Sequence, residues 1–98
     1  MFNVSRKNES DIVSFALEGR LDANSAPELE EALQEISADC HLVLDFEELV
    51  YISSAGLRVL LSMQKRLQAQ GSLKLIHVHP DVMEIFDVTG FSDLLDIE

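Results

Sequence analysis

The chain has 98 residues, 47% of them hydrophobic, which is long enough to bury one core without disulfides or a structural metal and too short for two. Lys and Arg number 7 against 18 Asp and Glu, a formal charge of −11 that argues against nucleic acid or an anionic membrane as a direct partner. The lone Cys40 excludes an internal disulfide, residues 1–6 lack the apolar core of a signal peptide, and no apolar run reaches membrane-spanning length, so a cytoplasmic protein is expected.

Residues 2–5 and 11–18 read as two strands, rich in strand formers at Ile12, Val13, Phe15 and Leu17 and joined by a polar turn over residues 6–10. A loop over residues 19–24 leads to Ser25-Ala26-Pro27-Glu28, whose Ser and Glu spacing is that of a capping box with Pro in the first helical turn. Leu29, Ala32, Leu33 and Ile36 then fall on one helical face, with Glu30, Glu31 and Glu35 on or near the opposite one. The short apolar run Leu42-Val43-Leu44-Asp45-Phe46 predicts a central strand, and residues 47–53 a connector.

Leu57, Leu60, Leu61 and Leu67 mark a second amphipathic helix, with Lys65 and Arg66 near its C-terminus and Gly71 just beyond. Residues 73–78 return as a strand, and strand, helix, strand in that order implies a right-handed parallel crossover. Val82, Ile85 and Phe86 predict a short helix over residues 81–89 that ends at Gly90; residues 91–98 fit either a last helical turn or an edge strand. The order β-β-α-β-α-β-α describes a single α/β domain over residues 1–98, a mixed sheet of four to five strands with helices packed on it.

The chemistry concentrates in Ile52-Ser53-Ser54-Ala55-Gly56-Leu57-Arg58, two hydroxyls and a glycine at a helix start. A helix N-terminus offers free N–H groups and partial positive charge, which suit a hydroxyl N-cap or a phosphate. A cap accounts for one serine and leaves the second unexplained. A catalytic Ser54 has little support: Gly-x-Ser-x-Gly is absent, and His41, His77 and His79 stand in no triad context, so no enzyme is expected. His77 and His79, two apart on a predicted strand, make half a metal site; two ligands are too few, Cys40 and His41 belong to another strand, and no metal or cofactor is expected. No phosphate-cradling glycine motif occurs. Asp22 and Asp45 are expected at the same end of the sheet as Ser54, as partner contacts or as turn formers.

The segments Leu42-Val43-Leu44-Asp45-Phe46 and Val50-Tyr51-Ile52-Ser53-Ser54-Ala55-Gly56-Leu57-Arg58 together resemble the signature of the STAS domain of bacterial anti-sigma-factor antagonists. Gly19-Arg20-Leu21-Asp22 resembles that family's first loop, and His79-Pro80 to Phe91 its last helical segment, so the resemblance spans nearly the whole chain. It implies a partner-switching module. The unmodified antagonist binds an anti-sigma factor, itself a serine kinase, and frees the sigma factor; phosphorylation switches it off and a PP2C-like phosphatase restores it. By position the acceptor would be Ser54. Ser53 stands where many members have Asp and is the rival acceptor. Partner contacts would involve Asp22, Asp45, Ser53, Ser54, Ala55, Gly56, Leu57 and Arg58, with Gly56 giving a partner room to approach. The competing reading is a constitutive STAS adaptor, for example in a lipid-transport ATPase or a signalling scaffold, in which the serines only cap the helix.

Overall fold

The computed structural model describes residues 2–98; Met1, the first residue of the expected domain, lies outside the described residues. The elements are β1 (Phe2–Glu9), β2 (Ile12–Leu21), α1 (Ala26–Leu33), β3 (His41–Ile52), α2 (Ser54–Leu67), β4 (Ser72–Ile76), α3 (Pro80–Thr89), a 3-10 turn (Phe91–Asp93) and β5 (Asp96–Ile97). They build a five-stranded sheet in the order β1-β2-β3-β4-β5, antiparallel between β1 and β2 and parallel elsewhere. Each crossover from β2 onward steps the same way across the sheet, so right-handed connections put all three helices on one face. That face meets Phe15, Leu17, Leu42, Leu44, Phe46, Leu73 and Leu75, all buried, while Ala16, Val43, Asp45, Lys74 and Ile76 point the other way. The core is continuous, with Phe46 of β3 and Phe86 of α3 packed at 6.3 Å between ring centroids.

Several boundaries differ from expectation. The first hairpin turns over Ser10 and Asp11 alone, with Ser10 in the left-handed region at φ 54°, because backbone pairing carries the polar residues 6–9 as strand opposite Ile12, Val13, Ser14 and Phe15. Strand β3 runs on through the expected connector to Ile52. Its register against β2 shifts twice, between the pairs Ala16–Asp45 and Glu18–Glu48 and between Gly19–Leu49 and Arg20–Tyr51, one extra β3 residue each time. These bulges replace the two-residue repeat Leu42, Leu44, Phe46 with a three-residue repeat, Phe46, Leu49, Ile52, all buried. The tail supplies both expected alternatives, a 3-10 turn and then the short edge strand β5.

Between α1 and β3 the chain is tied from outside. Helix α1 has no basic residue in its last turn. Arg66 near the end of α2 donates instead to the Leu33 carbonyl at 3.0 Å, the Gln34 carbonyl at 3.4 Å and the Ile36 carbonyl, capping α1 with a charge that also suits its dipole. Gly71, after α2, packs so closely that a Cβ there would lie 2.2 Å from the Cys40 carbonyl oxygen. Helix α3 ends at Gly90 in the left-handed region, φ 81°.

Candidate functional site

Strands β2 and β3 reach the edge of the sheet together. Arg20 pairs with Tyr51 and Leu21 with Ile52, and the Leu21 carbonyl accepts the Ser53 N–H at 2.9 Å. The residues that follow, Asp22 and Ser54, therefore leave the sheet side by side, each at the approach to a helix. At Asp22 the chain turns sharply. Its Oδ1 accepts the N–H groups of Asn24 (3.0 Å) and Ser25 (3.2 Å), and its carbonyl accepts the Ala26 N–H at 2.8 Å. The expected capping box is not formed. Ser25 is buried and its hydroxyl points back, donating to the Arg20 carbonyl at 2.7 Å and accepting the Asp22 N–H at 2.9 Å, so Asp22 takes the role of turn former. Partial desolvation raises the Asp22 carboxyl, but the N–H donors of Asn24 and Ser25, the Ser25 hydroxyl and the Arg20 charge outweigh it and hold the group below its ordinary value.

Helix α2 starts without a side-chain cap. Ser53 is extended, its carbonyl accepts the Leu57 N–H at 3.0 Å, and its Oγ is enclosed with no partner among the described residues. Ser54, the first helical residue, is exposed. Gly56 and Leu57 are buried, which corrects their expected place in a partner surface. A Cβ on Gly56 would lie 2.8 Å from Ile52 Cγ1 and 2.8 Å from Leu21 Cγ, so the glycine makes room for the sheet beneath the helix rather than for a partner above it. Ala55 is half-buried and Arg58 exposed. Together with Ala23, Ala26, Pro27 and Val59 they line a cleft of about 410 Å³ between α1 and α2. Arg58 makes no ion pair among the described residues.

Asp45 is not brought to Ser54. The register partners on β2, Ala16 for Asp45 and Leu21 for Ile52, are five residues apart, roughly 17 Å at about 3.3 Å per residue. The Asp45 carboxylate lies on the helix-free face, where Oδ1 accepts the Glu47 N–H at 2.9 Å and meets His77 Nδ1 at 2.9 Å. The Asp45 hydrogen bond and charge raise the His77 pKa above its ordinary value. His77 itself ends β4: its φ of 56° is left-handed, so His77 and His79 do not share a strand face as the sequence suggested. Near Asp22 the sequence reading missed one contact, the Arg20 guanidinium stacked 4.2 Å from the centre of the Tyr51 ring. Their juxtaposition depends on the second β3 bulge, which residue spacing alone does not reveal.

A mixed sheet with one-sided crossovers, and a serine pair where β3 gives way to α2, is the arrangement the sequence led one to expect. The STAS domain family model matches residues 3–98. The chain belongs to the STAS domain family. Among its relatives, the anti-sigma-B factor antagonist of Bacillus subtilis (strain 168) is 36% identical over 96 residues, covering 94% of this chain and 85% of that protein. An anti-sigma factor antagonist from Mycobacterium paratuberculosis shares the fold at a TM-score of 0.90, with 19% identity over 99% of this chain and 85% of that one. The phosphorylated form of the Bacillus cell fate determinant SpoIIAA aligns at a TM-score of 0.70 and 18% identity, over 100% of this chain and 91% of its own. In this STAS domain the two serines differ in kind: Ser54 is exposed, while the Ser53 Oγ is enclosed at the helix start.

Proposed function

We propose that this STAS domain is an anti-sigma-factor antagonist that binds an anti-sigma factor when unmodified and is released when that factor, acting as a serine kinase, phosphorylates Ser54. The observation that carries the reading is the exposure of Ser54 at the first position of α2, between Ser53, whose N–H bonds the Leu21 carbonyl just before the Asp22 turn, and Ala55, which lines the α1–α2 cleft. The name of the Bacillus subtilis relative supports the partner class, and the phosphorylated SpoIIAA structure supports a phosphoryl switch on this fold. The enclosure of the Ser53 oxygen speaks for Ser54 over its rival, because a kinase cannot reach Ser53 without opening the helix start.

In the transfer, Ser54 Oγ bonds to the γ-phosphorus of ATP as the bond to ADP breaks, and the hydroxyl proton passes to the kinase. The product gains about 1.5 to 2 negative charges at a helix N-terminus, where the dipole favours them, so the fold survives. A partner seated on Ser54 meets bulk, charge and a hydration shell instead of a hydroxyl. A PP2C-like phosphatase would reverse the step, and all three proteins would act in the cytoplasm. Asp22, Ala55 and Arg58 are the proposed partner contacts around Ser54; Asp45 is not among them. The reading is tested by incubating the protein with its anti-sigma kinase and ATP and mapping the product. Phosphate on Ser54 alone is expected; phosphate on Ser53, or none, overturns it.

A further inference from the structure

The second chemical cluster of the molecule is unrelated to Ser54. Asp45 and Glu47 stand at the first bulge of β3, and His77 follows the end of β4 immediately after Ile76, the register partner of Asp45. One ligand-capable atom from each of Asp45, Glu47 and His77 lies within 4.8 Å of the others. His79 joins them from the loop before α3, its Nε2 against the Glu47 carbonyl oxygen. The two carboxylates come from β3 and the two imidazoles from the β4–α3 loop, about thirty residues further along the sequence. The bulge and the left-handed turn at His77 bring them together.

We propose that Asp45, Glu47 and His77 bind one divalent transition-metal ion of the zinc type, with His79 turning in from the Glu47 carbonyl as a fourth donor. The chemistry of the donor set selects the class. Imidazole nitrogen with carboxylate oxygen suits zinc and its first-row neighbours, whereas calcium and magnesium take oxygen donors, and the one thiol, Cys40, precedes β3 and is not part of the cluster. Zinc bonds of about 2.0–2.2 Å separate tetrahedral ligand atoms by roughly 3.3–3.6 Å, a spacing that small rotations of exposed side chains reach from the present one. The Asp45 carboxylate is already oriented by the Glu47 N–H at 2.9 Å, the kind of outer contact that holds a ligating group in place. The strongly acidic chain attracts a cation to this face. Bound there, the ion clamps the β4–α3 loop to β3 and adds a metal-dependent stabilisation to a fold that otherwise relies on its core.

The experiment titrates Zn²⁺ alone into the untagged full chain, by calorimetry and by NMR of the imidazole nitrogens, with His77→Ala, Glu47→Gln and His41→Ala variants alongside. The expected result is one ion per chain, shifts at His77 and His79, a raised melting temperature, and an affinity weakened about tenfold or more by His77→Ala and by Glu47→Gln but not by His41→Ala. Absence of saturable binding overturns the proposal, as does binding that leaves the His77 nitrogens unmoved or that depends on His41. The NMR readout on the unmodified chain needs no variant to fold, and neither readout involves Ser54 or a partner.

Discussion

Replacing Gly56 by alanine puts a methyl carbon 2.8 Å from Ile52 Cγ1, 2.8 Å from Leu21 Cγ and 2.9 Å from Leu21 Cδ2, all well inside ordinary carbon contact. Leu21 and Ile52 are 0% and 1% exposed, so neither has free space to turn into. Three contacts under 3 Å against fully buried side chains put the overpacking at the upper end of its usual range, about 2–3 kcal/mol, against which alanine returns about 1 kcal/mol of helix propensity. The net loss is about 1–2 kcal/mol, or a fall in melting temperature of about 5–15 °C for a domain of this size. Urea and thermal unfolding of Gly56→Ala measure it, and an anti-sigma factor binding assay below the melting point should show only a modest change. A variant as stable as the parent, or one that stays stable and loses partner binding, would refute the assignment of Gly56 to helix packing.

Ser53→Ala should leave stability within about 0.5 kcal/mol of the parent or raise it, since the enclosed Oγ makes no hydrogen bond to lose; a drop near 1 kcal/mol in urea unfolding would restore it as an N-cap. Ser25→Ala should cost about 1–3 kcal/mol by the same measurement, because it removes the buried hydroxyl that bonds the part-buried Arg20 carbonyl and Asp22 N–H and binds the turn. Arg66→Met should destabilise by about 1.5–3 kcal/mol, with faster amide exchange around residues 33–36, whose carbonyls lose their charged donor. In metal-free buffer, NMR titration should give His77 a pKa above that of a free histidine, and Asp45→Asn should lower it. The sign follows from the raised folded value: the ion pair supports the fold fully below the unfolded histidine pKa, near 6.5, and its contribution fades as pH climbs through the raised one.

Much of the scaffold was legible because local signals agreed. The apolar pair Leu29 and Leu33 of α1, the Gly90 stop of α3 and the Leu57–Leu67 face of α2 each carry a period or a cap that tertiary packing did not override, although α1 stops at Leu33 and Ile36, expected on its face, is buried from the turn beyond it. The strand ends were not legible. Strand β3 loses its alternation after Phe46 through two bulges, so Leu49 and Ile52 resembled connector residues although both are buried. The same bulges decide the sites. Strand β3 runs on past them to Ile52 and so keeps Asp45 away from Ser54, while the first bulge leaves Asp45 and Glu47 beside His77, which no spacing in the sequence foretells. Ser54 and Ser53 are adjacent and chemically alike on paper; only burial distinguishes them. Gly56 is a case where the residue was rightly singled out for the wrong reason, since its missing side chain faces the sheet.

The central claim, that one exposed hydroxyl governs partner binding, is tested most directly by measuring the affinity of the anti-sigma factor for the unmodified chain and for the chain carrying phosphate on Ser54, with unfolding curves of both. The account predicts that folding stability is retained while affinity falls tens- to thousands-fold, about 2–4 kcal/mol. Equal affinities for the two forms would contradict it.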